Sequence, residues 1–253
     1  PRWQFALTAT DANRFALRFA RHLTGRPKIA VMDWCYHGTV DETLAVLDPA
    51  TGAVVARPGA LGPQVDVALT TRVVPFNDLD ALDAALSHGD VAALLMEPAL
   101  TNIGIVLPEP GYLEAVRELT RARGVLLIND ETHTICAGPG GATQAWGLDP
   151  DLVVIGKPIG GGIPIAAYGM TLELADRLAG PMLGHDIDVA GVGGTLSANA
   201  LSLAAARATL GSALRAEDFA VAVPLAQRFT AGVQGVIDAH GLPWHVQRLG
   251  AHV

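Results

Sequence analysis

The sequence predicts an α/β protein, a three-layer α/β/α domain with a mainly parallel central sheet. Strand-length apolar runs alternate with segments of helical period along the whole 253-residue chain. Half of the residues are apolar and 17% are charged, so a sizeable core can form without disulfides or metal. No internal repeat or low-complexity linker interrupts the alternation.

The opening stretch PRWQFALTAT reads as a strand running into a helix start. Thr10 reads as the N-cap of a helix whose apolar positions Ala12, Phe15, Ala16, Phe19 and Leu23 keep the 3.6 period, and Gly25 closes it. Lys28 to Asp33 reads as a strand. From Thr51 to Pro75 the Gly, Pro and Thr content predicts loop with short strands, followed by a helix from Asp78 to about Ser87. Val91 to Met96 reads as a buried strand that ends at Glu97-Pro98. A helix from Pro110 to Arg123 then leads through Gly124 into the strand Val125 to Asn129, which delivers Asp130 and Glu131 at its end. Leu152 to Ile155 delivers Gly156-Lys157 in the same manner, ahead of Gly160-Gly161-Gly162. Helices are expected over Ser197 to Leu210 and over Ala216 to His240, the second interrupted near Pro224.

This pattern divides into one large unit, 1–215, and a helix opening a second unit, 216–253. The text begins at Pro1 and ends in the apolar run RLGAHV, so the natural polypeptide is expected to continue on both sides. A formal charge of −8 with scattered basic residues argues against a nucleic-acid partner. Cys35 and Cys136 stand far apart with no CxxC or Cys/His cluster, so neither zinc nor a disulfide scaffold is expected. No apolar run approaches the ~20 residues a bilayer requires, and a soluble, cytoplasmic protein is expected.

Two residues carry the strongest chemical signal. Of seventeen basic residues only Lys28 and Lys157 are lysines. An amine can lose its proton and form an imine with an aldehyde, whereas a guanidinium cannot, so Lys157 at a strand end is a candidate nucleophile. A surface ion pair is the alternative for that residue. Asp130, also at the end of an apolar strand, needs a cation or donors to be buried there, and a protonated pyridine nitrogen would serve. A capping or metal-binding role is the alternative. Thr8-Ala9-Thr10 enters a helix whose free N–H groups and positive dipole end could hold a phosphate, although an ordinary capped helix accounts for the same residues. Gly193-Gly194-Thr195 is a second such entry, and Tyr36-His37-Gly38 offers a flat ring beside a residue permitting close approach, although taken alone Tyr36 reads first as a buried core tyrosine.

In this order the segments resemble the class III aminotransferases dependent on pyridoxal 5′-phosphate, nearest the glutamate-1-semialdehyde aminomutase and β-amino-acid aminotransferase branches. The resemblance covers nearly the whole chain. It implies the fold of the aspartate-aminotransferase-like large domain and assigns roles residue by residue. Thr8-Ala9-Thr10-Asp11-Ala12 stands for the family's phosphate-binding Ser-Gly-Thr-Glu-Ala turn, with Ala9 replacing glycine. CYHGTVDETL makes Tyr36 the residue stacked on the ring, with His37 beside it. LMEPALTNIG matches the Glu-Pro segment, bringing Glu97 to the cofactor and Asn102 near its phenolic oxygen. INDETHTICAGPGG gives Asp130 the ring nitrogen and Thr132 the ring face, with His133 to Ala137 departing from the usual continuation. GKPIGGGIP makes Lys157 the Schiff-base lysine, and GGTLSAN places Thr195 at the phosphate of a neighbouring subunit, which implies a homodimer.

The activity so implied is amino transfer between an amine or amino acid donor and a carbonyl acceptor, with a 2,1-aminomutase as the alternative. A nucleotide-dependent oxidoreductase and a catalytically silent binding scaffold are the rivals. No GxGxxG follows the first strand, and Gly156-Lys157-Pro158 lacks the remainder of a P-loop.

Overall fold

The computed structural model describes residues 1–62, 65–182 and 190–253. In chain order its elements are β1 (Arg2–Ala6), α1 (Ala9–Thr24), β2 (Lys28–Met32), β3 (Ala45–Leu47), β4 (Val54–Ala56), α2 (Val67–Thr70) and β5 (Thr71–Val74). There follow α3 (Leu79–Ser87), β6 (Val91–Met96), α4 (Tyr112–Ala122), β7 (Leu126–Asp130), α5 (Gly141–Ala145), β8 (Leu152–Ile155), β9 (Ala166–Met170), α6 (Leu172–Met182), α7 (Ala200–Ser212) and α8 (Ala216–Ala239). Seven strands form one sheet in the order β1-β9-β8-β7-β6-β2-β5, and β3 and β4 make a separate hairpin.

The sheet is parallel from β8 through β7, β6 and β2 to β5. β9 runs antiparallel to β8 and to β1, so β1 points the same way as the parallel strands. Every residue of β6 is buried, as expected for an inner strand covered on both faces. α1 lies on the sheet through Ala12, Ala16 and Ala20, whose small side chains let the helix approach closely, with Leu17 and Phe19 filling beside them. Within β9, a Cβ on Gly169 would stand 2.9 Å from the Trp3 ring, so glycine at that strand position makes room for the indole across the β1–β9 pair.

Most expected elements form close to their expected bounds, with three informative differences. α1 begins at Ala9 rather than after Thr10: Thr8 is its cap, accepting from the Asp11 amide at 3.1 Å, while the Thr10 hydroxyl accepts from the Thr39 amide. α8 is one helix of 24 residues that runs through Pro224 instead of breaking there. The missing N–H removes one hydrogen bond, and the helix continues beyond it with Ala226 and Ile237 buried. β9 has no expected counterpart; it is a five-residue strand fully buried in the sheet.

Candidate active site

A cavity of about 390 Å³ opens where β1, β2, β6, β7 and β8 end, the side of an open α/β sheet at which ligands gather. Its floor is built around Asp130. Burial by itself would raise the pKa of this carboxyl. His37 Nδ1 at 2.9 Å, the Thr132 amide at 3.0 Å and Asn13 Nδ2 at 2.9 Å outweigh burial and bring it below the ordinary 3.8. Burial likewise opposes charge on His37, but the Cys35 sulfur and the Asp130 carboxylate prevail, and the imidazole's pKa lies well above 6.5. Asn13 fixes the arrangement from α1, since its amide group donates to both Asp130 and the His37 carbonyl. The floor is therefore a buried, ionised carboxylate held by three donors and lining the cavity.

Lys157 stands on the wall at the end of β8. Its φ of 47° is left-handed, a conformation that costs a non-glycine residue about 1–2 kcal/mol and collects at functional sites. Among the described residues its ammonium has neither a hydrogen-bonding nor an ionic partner. Gly156 brings this turn against α1: a Cβ there would be 3.0 Å from Ala9 Cβ. Lys157 thus sits beside the first turn of α1, where no described group accepts from the Ala9 or Thr10 amides. Gly38, at φ 83°, seals the same corner, because a Cβ would lie 2.1 Å from Thr10 Oγ1.

Tyr36, 38% exposed, projects from the loop after β2 into the cavity. That loop is held by Arg57, which donates to the Cys35 carbonyl at 2.7 Å and lies 5.4 Å from the Trp34 ring centroid, while Trp34 itself is left-handed at φ 59°. Thr132 is buried with an unpartnered hydroxyl on the lining, as is His37 Nε2. Glu97, from the end of β6, bonds to Thr101, which in turn meets His133 Nδ1 at 2.5 Å.

These features fit a flat, phosphorylated heteroaromatic aldehyde. A carboxylate suits a protonated ring nitrogen, free amides and a helix N-terminus suit a phosphate, and a lysine with no described partner suits a carbonyl. Among the described residues no cluster of His, Cys, Asp and Glu is placed to hold a metal. Residues 2–251 match the family model for class-III aminotransferases. The chain belongs to that family.

Among its relatives is the glutamate-1-semialdehyde 2,1-aminomutase of Thermomicrobium roseum, 40% identical over 98% of this chain and 57% of that protein. A glutamate-1-semialdehyde aminomutase from Pseudomonas aeruginosa PAO1 superposes with a TM-score of 0.96 at 49% identity, over 99% of this chain and 56% of that one. A lysine-to-alanine variant of that aminomutase has been solved in complex with PMP. An omega-transaminase from Sphaerobacter thermophilus superposes with a TM-score of 0.86 at 33% identity, covering 98% and 57% respectively. The chain spans a little over half the length of these relatives.

Within this class-III aminotransferase domain, Thr8, Ala9, Thr10, Tyr36, His37, Glu97, Asp130, Thr132 and Lys157 all line the one cavity. Asn102 and Thr195 do not. Asn102 is exposed in the turn after Thr101. Thr195 is exposed on a second depression formed with Asp11, Arg14 and Arg18 of α1. Two residues escape sequence reasoning. Asn13 carried a signal, being a polar residue on the apolar stripe of α1. His133 carried only its place after Thr132. Glu131 turns away from the cavity, accepting from the Ala142 and Thr143 amides and the Thr134 and Thr143 hydroxyls.

Proposed function

We propose that this chain is the cofactor-binding part of a pyridoxal-phosphate-dependent transaminase, moving an amino group from an amine or amino acid to a carbonyl acceptor. The observation that carries the reading is the pairing, across one cavity, of the Lys157 ammonium with an Asp130 carboxylate held ionised by His37, Thr132 and Asn13.

Pyridoxal phosphate, when bound, supplies a carbonyl that takes up amines and a ring that withdraws electrons from the bond being broken. Asp130 would face the ring nitrogen and favour a proton there, and the donors behind it keep Asp130 charged. Lys157 Nζ would hold the cofactor's carbonyl and would be the base placed to move a proton at the substrate carbon. The Ala9 and Thr10 amides, with Thr8 beside them, would hold the phosphate, Tyr36 and Thr132 would bracket the ring and Glu97 would meet its edge, while Asn102 lies outside this cavity. Thr195, outside this cavity, is assigned to the neighbouring subunit's phosphate in a homodimer. Residues 1–215 are read as the cofactor domain and 216–253 as the entry to a smaller one. Among the described residues no helix is long and apolar enough to cross a membrane; a cytoplasmic location is part of the proposal.

A glutamate-1-semialdehyde-type 2,1-aminomutase is the second reading, favoured by the 40% and 49% identity to proteins of that name. One set of measurements tests both. The full-length protein is mixed with pyridoxal phosphate, its visible band recorded, and the adduct reduced with borohydride and mapped. A reducible band with the label on Lys157, lost in Lys157→Ala, is the expected result; an undiminished label in that variant overturns the assignment. Conversion of an added amine in step with an added keto acid marks a transaminase. Rearrangement of glutamate-1-semialdehyde without an acceptor marks the aminomutase.

A further inference from the structure

The wall of the cavity carries a second imidazole that the reading above does not use. His133 is on the lining together with Glu97, and its side chain is 28% exposed. Glu97 is 2% exposed, with Oε1 unpartnered and Oε2 bonded to the Thr101 hydroxyl. Thr101 donates its single hydroxyl proton to Glu97 Oε2. The Thr101 oxygen must then accept from His133 Nδ1–H, at 2.5 Å. Glu97 Oε2 also lies 3.6 Å from that nitrogen. The relay fixes the ring's orientation and leaves Nε2 as its uncommitted atom.

His133 is the basic side chain beside the buried Glu97 carboxyl, 3.6 Å from its Oε2. With the proton on, Nε2–H is a charge-assisted donor at the cavity wall. The basic groups of the described lining are His37, His133 and Lys157. His37 is committed to Asp130, and Lys157 is assigned to the carbonyl. Resting on the transaminase reading, we infer that His133, oriented by Thr101 and Glu97, contacts the substrate's carboxylate and thereby selects amino acids over plain amines.

A matched pair of probes isolates this contact: β-phenylalanine and 1-phenylethylamine, which differ by one carboxylate. Dissociation constants for both are read from the visible band of the pyridoxal-phosphate-loaded, full-length protein. His133→Met is expected to weaken β-phenylalanine about tenfold, or ~1.4 kcal/mol, while 1-phenylethylamine stays within about twofold. Thr101→Val, which cuts the relay but keeps the imidazole, moves the acid in the same direction by less. His133→Gln, which keeps a neutral donor, is expected to retain part of the discrimination and serves if the Met variant does not fold. Equal losses for both probes, no loss for either, or a parent that binds the amine but not the acid overturns the inference. A parent protein with no reducible band on Lys157 instead overturns the transaminase reading, so the two failures are distinguishable.

Discussion

Replacing His37 by leucine tests the reasoning about the cavity floor most directly. In the native protein Asp130 has three donors and is buried, so His37→Leu leaves a charged carboxylate with only the Asn13 and Thr132 groups. Removing one partner of a buried ion pair costs about 3–5 kcal/mol, and both groups here are buried enough to need no allowance for solvent. The pH dependence has a definite sign. The folded pKa of His37 is raised, so its contribution is complete below 6.5 and is lost as pH rises towards and through that folded value. The folded pKa of Asp130 is depressed, so its contribution is complete above 3.8 and is lost as pH falls below 3.8 towards and through the lower folded value. The gap between parent and variant is therefore widest between pH 3.8 and 6.5. Above that window it shrinks by up to about 1.4 kcal/mol per pH unit. Urea unfolding of the cofactor-free protein at pH 5.5 and pH 8.5, with unchanged m-values, measures it. A loss below about 1 kcal/mol at pH 5.5, or a gap that is equal or larger at pH 8.5, would refute the account.

Three further outcomes follow from the same geometry. Asn13→Ala removes one bond to a charged carboxylate and is expected to cost about 1.5–3 kcal/mol by urea midpoint, with weaker pyridoxal phosphate binding by fluorescence titration. Gly38→Ala places a methyl on Thr10 Oγ1 at a left-handed φ; a loss of about 2 kcal/mol or more is expected in thermal unfolding, together with weaker binding of inorganic phosphate. Arg57→Met removes the hydrogen bond to the Cys35 carbonyl and the cation over Trp34, and is expected to lower the induced circular dichroism of the bound cofactor by freeing Tyr36, with about 1–2 kcal/mol lost in stability.

Much of the frame was legible because its signals are local. Val91 to Met96 and Leu152 to Ile155 are apolar runs of strand length, and Gly25 ends α1 in the left-handed conformation that glycine favours. Asp130 and Lys157 were legible because each follows such a run, and a charged residue there needs a reason. β9 was not, since AAYGM has small residues and no alternation, and it becomes a strand only by being enclosed between β8 and β1. Pro224 misled because a local rule about proline outweighed the helical text on both sides of it. The partners of Asp130 come from positions 13, 37 and 132, brought together by the packing of α1 on the sheet, and no spacing in the sequence announces that. Asn102 and Thr195, expected from the resemblance alone, lie away from the cavity that unites the other residues.

The antiparallel position of β9 sets an order of assembly. β1, which leads into the phosphate-binding turn, joins the sheet only by pairing with residues 166–170, whereas β2, β5, β6 and β7 can associate without it. During synthesis β1 must wait for the ribosome to release Met170 before it can dock, and closing so long a loop is slow. The nascent chain therefore acquires its capacity for the vitamin-derived ligand late, after most of the sheet already exists.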